Sequence, residues 1–119
     1  MSELSHIRNV LEEIKSMEHV LGVSLISRGG LFILGDAPKG VHQETYAAMS
    51  AIMLGAAETT STEMKESLKN LQIKLNERDL IILSAGSRYM LAITVDGNGE
   101  NDNIAKHAAQ VISRIEITI

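Results

Sequence analysis

The segment at positions 46–57 contains no charged residue and reads YAAMSAIMLGAA. Alanine, leucine and methionine all favour the α-helix, and the helix-favouring stretch around this segment extends from about His42 to Leu68. A helix that is apolar on every side is buried on every side. The segment therefore predicts a long central helix that packs against a neighbour on both flanks.

Two stripes run along this predicted helix. The first stripe is made mostly of small residues: Ala48, Ala51 or Ile52, Gly55 and Thr59. The second stripe is bulkier and contains Met49, Met53, Ala56 and Met64. A mid-helix glycine costs up to about 1 kcal/mol relative to alanine, which indicates that a close neighbour needs the space at Gly55. Methionine is common at adaptable binding surfaces. Either a second chain covers one of the stripes or the protein's own terminal helices do, and the pattern alone leaves both open.

The rest of the chain divides into strands and two further helices. Apolar residues at three- and four-residue steps predict amphipathic helices over 7–17 and 104–115. Runs of aliphatic and β-branched residues predict strands over 20–27, 31–34, 71–75, 80–85 and 89–95. The Gly29-Gly30 pair predicts a hairpin between the first two strands. Short turns join most of the strands, so we expect an α+β fold with an antiparallel five-stranded sheet and helices against its faces.

The third predicted strand, 71–75, alternates strictly as LQIKL. Such alternation predicts one buried face and one face in water. If this strand lies at the edge of the sheet, its unpaired backbone groups are open to pairing with another chain. Lys74 supports the opposite interpretation, because a lysine on an edge strand can prevent pairing with another chain.

Composition narrows the class of protein. Of the 119 residues, 45% are hydrophobic but only 3% are aromatic, so aliphatic side chains must fill the core of one domain spanning 1–119. The net charge of -4 argues against nucleic-acid binding, which requires cations that neutralise phosphates. The absence of cysteine excludes disulfides and thiolate metal sites. No apolar run approaches the length of a membrane span, and we expect a cytoplasmic protein without membrane insertion.

Motifs that would carry chemistry are weak. A calcium loop starting at Asp96 would need glycine at its sixth position and glutamate at its twelfth, where the chain has Asn101 and His107. The histidines are far apart in sequence, at His6, His19, His42 and His107. Phosphate-binding and nucleophile-elbow motifs are absent from the sequence. We therefore expect no catalytic residue, no metal and no cofactor, and a protein that is not an enzyme.

Three segments in order resemble the roadblock/dynein light chain family, in particular its prokaryotic roadblock-domain members. Residues 21–31, LGVSLISRGGL, resemble the opening hairpin, and residues 46–56, YAAMSAIMLGA, resemble the Ala- and Met-rich central helix. The AG pair at 85–86 and the strand YMLAITV at 89–95 are similar to the late hairpin. The chain departs from the family at Gly29, where an acidic residue is frequent.

The resemblance implies a roadblock/profilin-like sheet, with the long central helix on one face and the terminal helices on the other, in the order α-β-β-α-β-β-β-α. It also implies a homodimer formed through the central helix and the middle strand in chain order, 71–75. One sheet would then continue across both subunits. The residues that we expect at this interface come from those two elements: Ala48, Met49, Ala51, Ile52, Met53, Gly55, Ala56, Leu71, Ile73 and Leu75.

The function implied by the resemblance is that of a scaffold or regulator which binds a small Ras-like GTPase and modulates its nucleotide state or localisation. Arg28 and Arg88, both in predicted hairpin turns, are the candidate GTPase contacts. The alternative is a small-molecule sensor, or a heterodimeric adaptor without a GTPase partner. The alternating tail Ile117-Thr118-Ile119 extends the last helix or forms a short strand.

Overall fold

A computed structural model of the chain describes residues 3–116, and the tail Ile117-Thr118-Ile119 lies outside the described residues. Within this range the elements follow the predicted order. The helices are α1 Glu3–Lys15, α2 Gln43–Glu63 and α3 Asn101–Glu116. The strands are β1 Val20–Ser27, β2 Phe32–Gly35, β3 Leu71–Lys74, β4 Asp79–Ala85 and β5 Tyr89–Val95. Across the described range, none of the helices is both long and apolar enough to cross a bilayer.

The five strands form one antiparallel sheet in the order β2-β1-β5-β4-β3. The chain runs back and forth through short turns, except that the connection from β2 to β3 contains α2. Strands β2 and β3 are therefore the two edges of the sheet. The predicted fold class is confirmed, with five antiparallel strands and helices on both faces.

Each face of the sheet has its own hydrophobic core, because successive side chains of a strand point to opposite faces. Helices α1 and α3 cover one face, where Leu25, Ile81, Leu91 and Ile93 are fully buried. Helix α2 covers the other face. There it packs on the buried side chains of Ile26, Ile82, Met90 and Ala92. The strands β4 and β5 are thus apolar on both sides, as expected of strands in the middle of a two-faced sheet.

Helix α2 is shorter than the sequence predicted, and the expectation that it continues to Leu68 is wrong. It ends at Glu63 in a Schellman motif: Lys65 adopts a left-handed φ of 60°, and the backbone N–H groups of Lys65 and Glu66 donate to the carbonyls of Thr62 and Ser61. A hydroxyl-rich run precedes this end. The side chains of residues 60–62 bond to carbonyls one turn earlier, which weakens helix propagation.

The turn between β1 and β2 packs closely against α2. Gly30 has a φ of 93°, and a Cβ added there would meet Cα of Ala48 at 3.3 Å. A side chain at this position would be strained by the backbone and crowded by the helix. The Gly29-Gly30 pair therefore does more than close the predicted hairpin, because Gly30 also lets the hairpin lie directly on the central helix.

Candidate interaction surface

The inner side of α2 is what attaches the helix to the sheet. Tyr46, Ala47, Ser50 and Leu54 are its buried residues, and Ala47, Ser50 and Leu54 are completely inaccessible. Their spacing of three or four residues places them on one side of the helix. The start of the helix is set by His42, whose Nδ1 accepts a hydrogen bond from the backbone N–H of Thr45.

The outer side of α2 is apolar and open. Ile52 is 63% exposed and Met49 is 47% exposed, and both Gly55 and Ala56 are also exposed. These four residues follow helical spacing along one flank, which we call the outer flank of α2. A flank that exposes large aliphatic side chains together with small residues is typical of a surface that another chain covers. The prediction that α2 is buried on all sides is wrong for the chain by itself, because α1 and α3 both lie on the opposite face of the sheet.

Three other residues of α2 that we expected at a dimer interface already contact residues of their own chain. Ala48 and Ala51 lie beside the Gly30 turn, and Ala51 and Met53 pack against the core between α2 and the sheet. All three are half-buried. They border the outer flank of α2 rather than form its centre.

Gly55 lies at an open place on this flank. A Cβ built on Gly55 would meet no heavy atom within 4 Å. Nothing in the described part of the chain therefore requires glycine at this position, although glycine is unfavourable in mid-helix. The close neighbour that the sequence predicts at Gly55 is therefore not part of the described chain.

Strand β3 adds an edge on the same side of the sheet. Ile73 pairs with Leu80 and Leu71 pairs with Ile82, and directly paired residues share a face. Ile82 belongs to the core under α2, so Leu71 and Ile73 point to the side of α2, where they are half-buried. The strand ends at Lys74, one residue earlier than predicted, and Leu75 beyond it is 57% exposed.

Polar contacts hold the edge strand in place from its other face. Gln72 Nε2 donates to Asp102 Oδ1 at the start of α3 over 2.7 Å. Lys74 Nζ lies 3.3 Å from Oδ2 of Asp79, which also accepts a hydrogen bond from Nδ2 of buried Asn101 at 2.9 Å. These contacts orient β3 without using its outer backbone edge.

The two arginines that the sequence singled out lie in neighbouring turns, and the backbone N–H of Arg28 donates to the carbonyl of Arg88 at 2.9 Å. The Arg28 side chain is held by the protein itself: its guanidinium forms an ion pair with Glu58 and donates to Ser84 Oγ and the Gly86 carbonyl. Arg88 is exposed, with its guanidinium 6.0 Å from the ring centroid of Tyr89. Sequence reasoning missed Glu58 as the partner of Arg28, because no local pattern links residues in different elements.

The loop tested as a calcium site has a structural role. Asp96 contacts Nδ1 of His19 at 3.1 Å and accepts the backbone N–H of Asn98 at 2.8 Å. The hydrogen bond from Asn98 is the main cause that lowers the pKa of Asp96, and His19 adds to it. Within residues 3–116, no three His, Asp or Glu side chains converge as metal ligands.

Comparison with known proteins gives a consistent result. The model of the Roadblock/LC7 domain family matches residues 6–94. The uncharacterized protein MJ0714 of Methanocaldococcus jannaschii is 31% identical over 91 residues, which cover 76% of this chain and 77% of that protein.

Solved structures share the fold at low sequence identity. MglB from Myxococcus xanthus superimposes with a TM-score of 0.84 at 17% identity, covering 99% of this chain and 100% of that one. An MglB with a tetrameric arrangement superimposes with a TM-score of 0.82 at 21% identity, covering 99% of this chain and 93% of that one. At these identities the likeness establishes the fold alone.

Proposed function

The chain belongs to the Roadblock/LC7 domain family, and from that premise we propose that it is a non-catalytic, cytoplasmic homodimer that scaffolds or regulates a small Ras-like GTPase. The observation that carries the proposal is the outer flank of α2, where Ile52 is 63% exposed beside the open Gly55. Burying such a flank is favourable at about 25 cal/mol per Å² of apolar surface. A second copy of the chain is the partner that the family resemblance implies.

The geometry of the proposed dimer follows from the two elements on this side of the sheet. The small residues Gly55 and Ala56 permit close approach of a second helix, while Met49 and Ile52 supply apolar contact area. Among the strands within residues 3–116, β3 is an edge with a neighbour on one side only, which favours antiparallel pairing with the same strand of the partner. Such pairing would join two five-stranded sheets into one. A symmetric contact of this kind is self-complementary and closes as a dimer.

Regulation of a GTPase by such a platform needs no chemistry in the platform itself. A surface that binds one nucleotide-dependent conformation more tightly than the other shifts the equilibrium between them by its difference in affinity. An arginine supplied in trans would add catalysis of hydrolysis. Arg28 is half-buried, with its guanidinium on Glu58, Ser84 and Gly86, whereas Arg88 is exposed. The greater exposure makes Arg88 the better candidate of the two for contact with a GTPase.

The dimer is tested by measuring mass with size-exclusion chromatography and light scattering. Wild type is expected to elute as a dimer, and Gly55→Leu as a folded monomer, because Gly55 is exposed and a Cβ added there meets no heavy atom of the described chain within 4 Å. Ala109→Leu is the matched control, since it makes a similar change at an exposed alanine of α3. A wild-type monomer at high concentration would contradict the homodimer and favour a heterodimeric adaptor.

The GTPase link is tested with Ras-like GTPases from the same genome, loaded with GDP or with a non-hydrolysable GTP analogue. We expect retention of one of these forms on the immobilised dimer in preference to the other. If Arg88 acts as an arginine finger, Arg88→Ala reduces stimulated hydrolysis by about 10³-fold or more. If Arg88→Ala leaves hydrolysis unchanged and still binds the GTPase, the protein acts as a scaffold and not through an arginine finger. If neither the GDP-loaded nor the GTP-analogue-loaded form binds the wild-type dimer, the GTPase role is contradicted.

A further inference from the structure

A cavity of about 300 Å³ opens at the end of the sheet where β1 begins and β5 ends. Its apolar wall is formed by Leu21, Ala37 and Pro38, and its polar wall by Lys39, Arg78 and Thr94. The volume lies at the lower end of the range for small-molecule sites, which are mostly apolar with a few convergent polar groups. None of these residues belongs to the proposed dimer interface.

Two cations meet at this cavity without a carboxylate between them. Within residues 3–116, neither Lys39 nor Arg78 forms an ion pair, whereas Lys15, Arg28 and Arg114 each pair with an acidic side chain. Arg78 Nη1 donates to the backbone carbonyl of Lys39 at 3.3 Å, which anchors one branch of the guanidinium to the β2–α2 loop. The remaining N–H groups of Arg78 are available to an acceptor. In a chain of net charge -4, this is a locally basic opening.

A buried hydroxyl, that of Tyr46, lies next to the same residues. Tyr46 is only 9% exposed, and its hydroxyl makes no hydrogen bond of ordinary geometry with the described residues. Burial raises the pKa of Tyr46 to about 12, and the nearby Thr94 and Arg78 oppose this rise. The hydroxyl is therefore adjacent to two residues that line the cavity, and it stays protonated at neutral pH. Tyr46 does not itself line the cavity and its hydroxyl is inaccessible, so a molecule bound there would change the surroundings of the phenol without touching it.

We propose that this cavity binds a small carboxylic acid with a short apolar body. Arg78 would hold the carboxylate with its planar fork of donors, and Lys39 would supply the second positive charge. The hydroxyl of Thr94 would complete the donor set, while the alkyl part lies against Leu21 and Pro38. A carboxylate with an alkyl body fits better than a bare phosphate, because most of the exposed surface of the wall is apolar and a phosphate has no apolar part to cover it.

Binding is tested in a Tyr89→Phe background, where Tyr46 is the only aromatic side chain that absorbs strongly near 280 nm, because the chain has two tyrosines and no tryptophan. The probes are 3-methylbutanoate, its neutral amide and inorganic phosphate. We expect a saturable change in the near-ultraviolet spectrum of Tyr46 with 3-methylbutanoate alone. Backbone amide shifts of Gly22, Lys39 and Thr94 in a ¹⁵N correlation spectrum give an independent readout.

Variants locate the site. Arg78→Gln is expected to weaken binding of 3-methylbutanoate about tenfold or more, because it removes a charge-assisted hydrogen-bond pair. Arg8→Gln is the matched control on exposed α1, on the other face of the sheet, and is expected to leave binding unchanged. If Arg78→Gln does not fold, Lys39→Gln at an exposed loop position serves in its place.

Three results would overturn the proposal: no saturable response to 3-methylbutanoate at millimolar concentration, equal binding of the neutral amide, or a response to phosphate alone. Equal binding by the Arg78→Gln and Arg8→Gln variants would also overturn it. These outcomes are independent of the oligomeric state, so failure here is distinguishable from failure of the proposed dimer.

Discussion

The guanidinium of Arg28 donates through Nη1 to Oε1 of Glu58 and thereby joins the β1–β2 turn to the last third of α2. The same guanidinium donates through Nη2 to Ser84 Oγ at 2.8 Å and to the Gly86 carbonyl at 3.2 Å, at the β4–β5 turn. One side chain therefore connects three elements at one end of the sheet. The guanidinium therefore ties the C-terminal part of α2 to both turns at this end of the sheet.

Removal of the carboxylate from this network should destabilise the fold. We expect Glu58→Ala to lower the free energy of unfolding by about 1–3 kcal/mol, because it leaves a partly buried guanidinium without its counter-charge. Guanidinium chloride denaturation at one fixed protein concentration measures the loss. Glu63→Ala is the control on the same helix, at an exposed last-turn position where a negative charge is unfavourable. Equal unfolding midpoints for the two variants would show that the network contributes nothing.

The two sides of α2 should respond differently to truncation. Leu54 is completely buried and Ile52 is 63% exposed. Leu54→Ala is expected to cost about 2–5 kcal/mol, since it opens a cavity in the core. Ile52→Ala is expected to change the stability of the dissociated chain by less than about 0.5 kcal/mol. Denaturation of both variants at concentrations below the dissociation constant of the dimer compares them, and a large loss for Ile52→Ala would mean that the outer flank is covered within the chain.

The features of this fold that the sequence predicts are those that the local periodicity of apolar residues specifies. The buried residues Ile104, Ala108 and Val111 of α3 follow the three- and four-residue steps of the sequence, because a helix that packs on a sheet must bury one stripe. The strand β5 is likewise recognisable, with Leu91 and Ile93 buried on one face. The element order and the antiparallel sheet follow from such patterns, while the placement of α2 on one face and of α1 and α3 on the other was implied by the family resemblance; both are confirmed.

The unpredicted part depends on contacts between distant residues and on backbone conformation. Arg28 and Glu58 are 30 residues apart, and Arg78 and Lys39 are 39 apart; no periodicity relates such pairs. The end of α2 was missed for a different reason. Its left-handed residue is Lys65 rather than glycine, so the usual sequence signal for a helix C-terminus is absent.

Gly55→Ala should have opposite effects on the folded chain and on its association. Alanine favours the helix over glycine by up to about 1 kcal/mol, and its Cβ meets nothing within 4 Å in the chain. The dissociated protein should therefore be more stable, while the added methyl group weakens close packing of two helices. Thermal unfolding of the dilute protein and sedimentation equilibrium measure the two effects. If alanine strengthens association, a partner helix does not occupy the space at Gly55.

Acid should destabilise the protein partly through Asp79. The hydrogen bond from Asn101 is the main cause that lowers the pKa of this buried carboxyl below its usual 3.8, and contacts with Lys74 and the backbone of Leu75 add to it. Because the folded-state pKa is the lower one, the stabilisation is fully present above 3.8 and is lost as the pH falls through the folded-state value. Asp79→Asn should therefore be less stable than wild type at pH 7, with a gap that narrows below pH 3.8. Denaturation across this pH range measures the gap, with exposed Glu77→Gln as the control; a gap independent of pH would contradict the assignment.

High pH should lower the stability of the folded chain through Tyr46, whose pKa is raised rather than lowered by folding. Burial raises the pKa of this phenol from 10.0 to about 12, so the folded chain binds the proton more tightly than the unfolded chain does. The stability that this provides is fully present below pH 10 and is lost as the pH rises towards 12. Tyr46→Phe should remove this alkaline loss. At neutral pH it should cost little or even stabilise the chain, since the hydroxyl it removes is buried and makes no hydrogen bond of ordinary geometry with the described residues.

The Tyr46→Phe comparison is made by chemical denaturation at several pH values between 7 and 12, with the half-buried Tyr89→Phe as the matched control. Tyr89→Phe should leave the alkaline loss in place. A large loss of stability for Tyr46→Phe at neutral pH would mean that its hydroxyl already has a strong partner in the folded chain. Thr94, which lines the cavity beside Arg78, is the residue in position to be that partner.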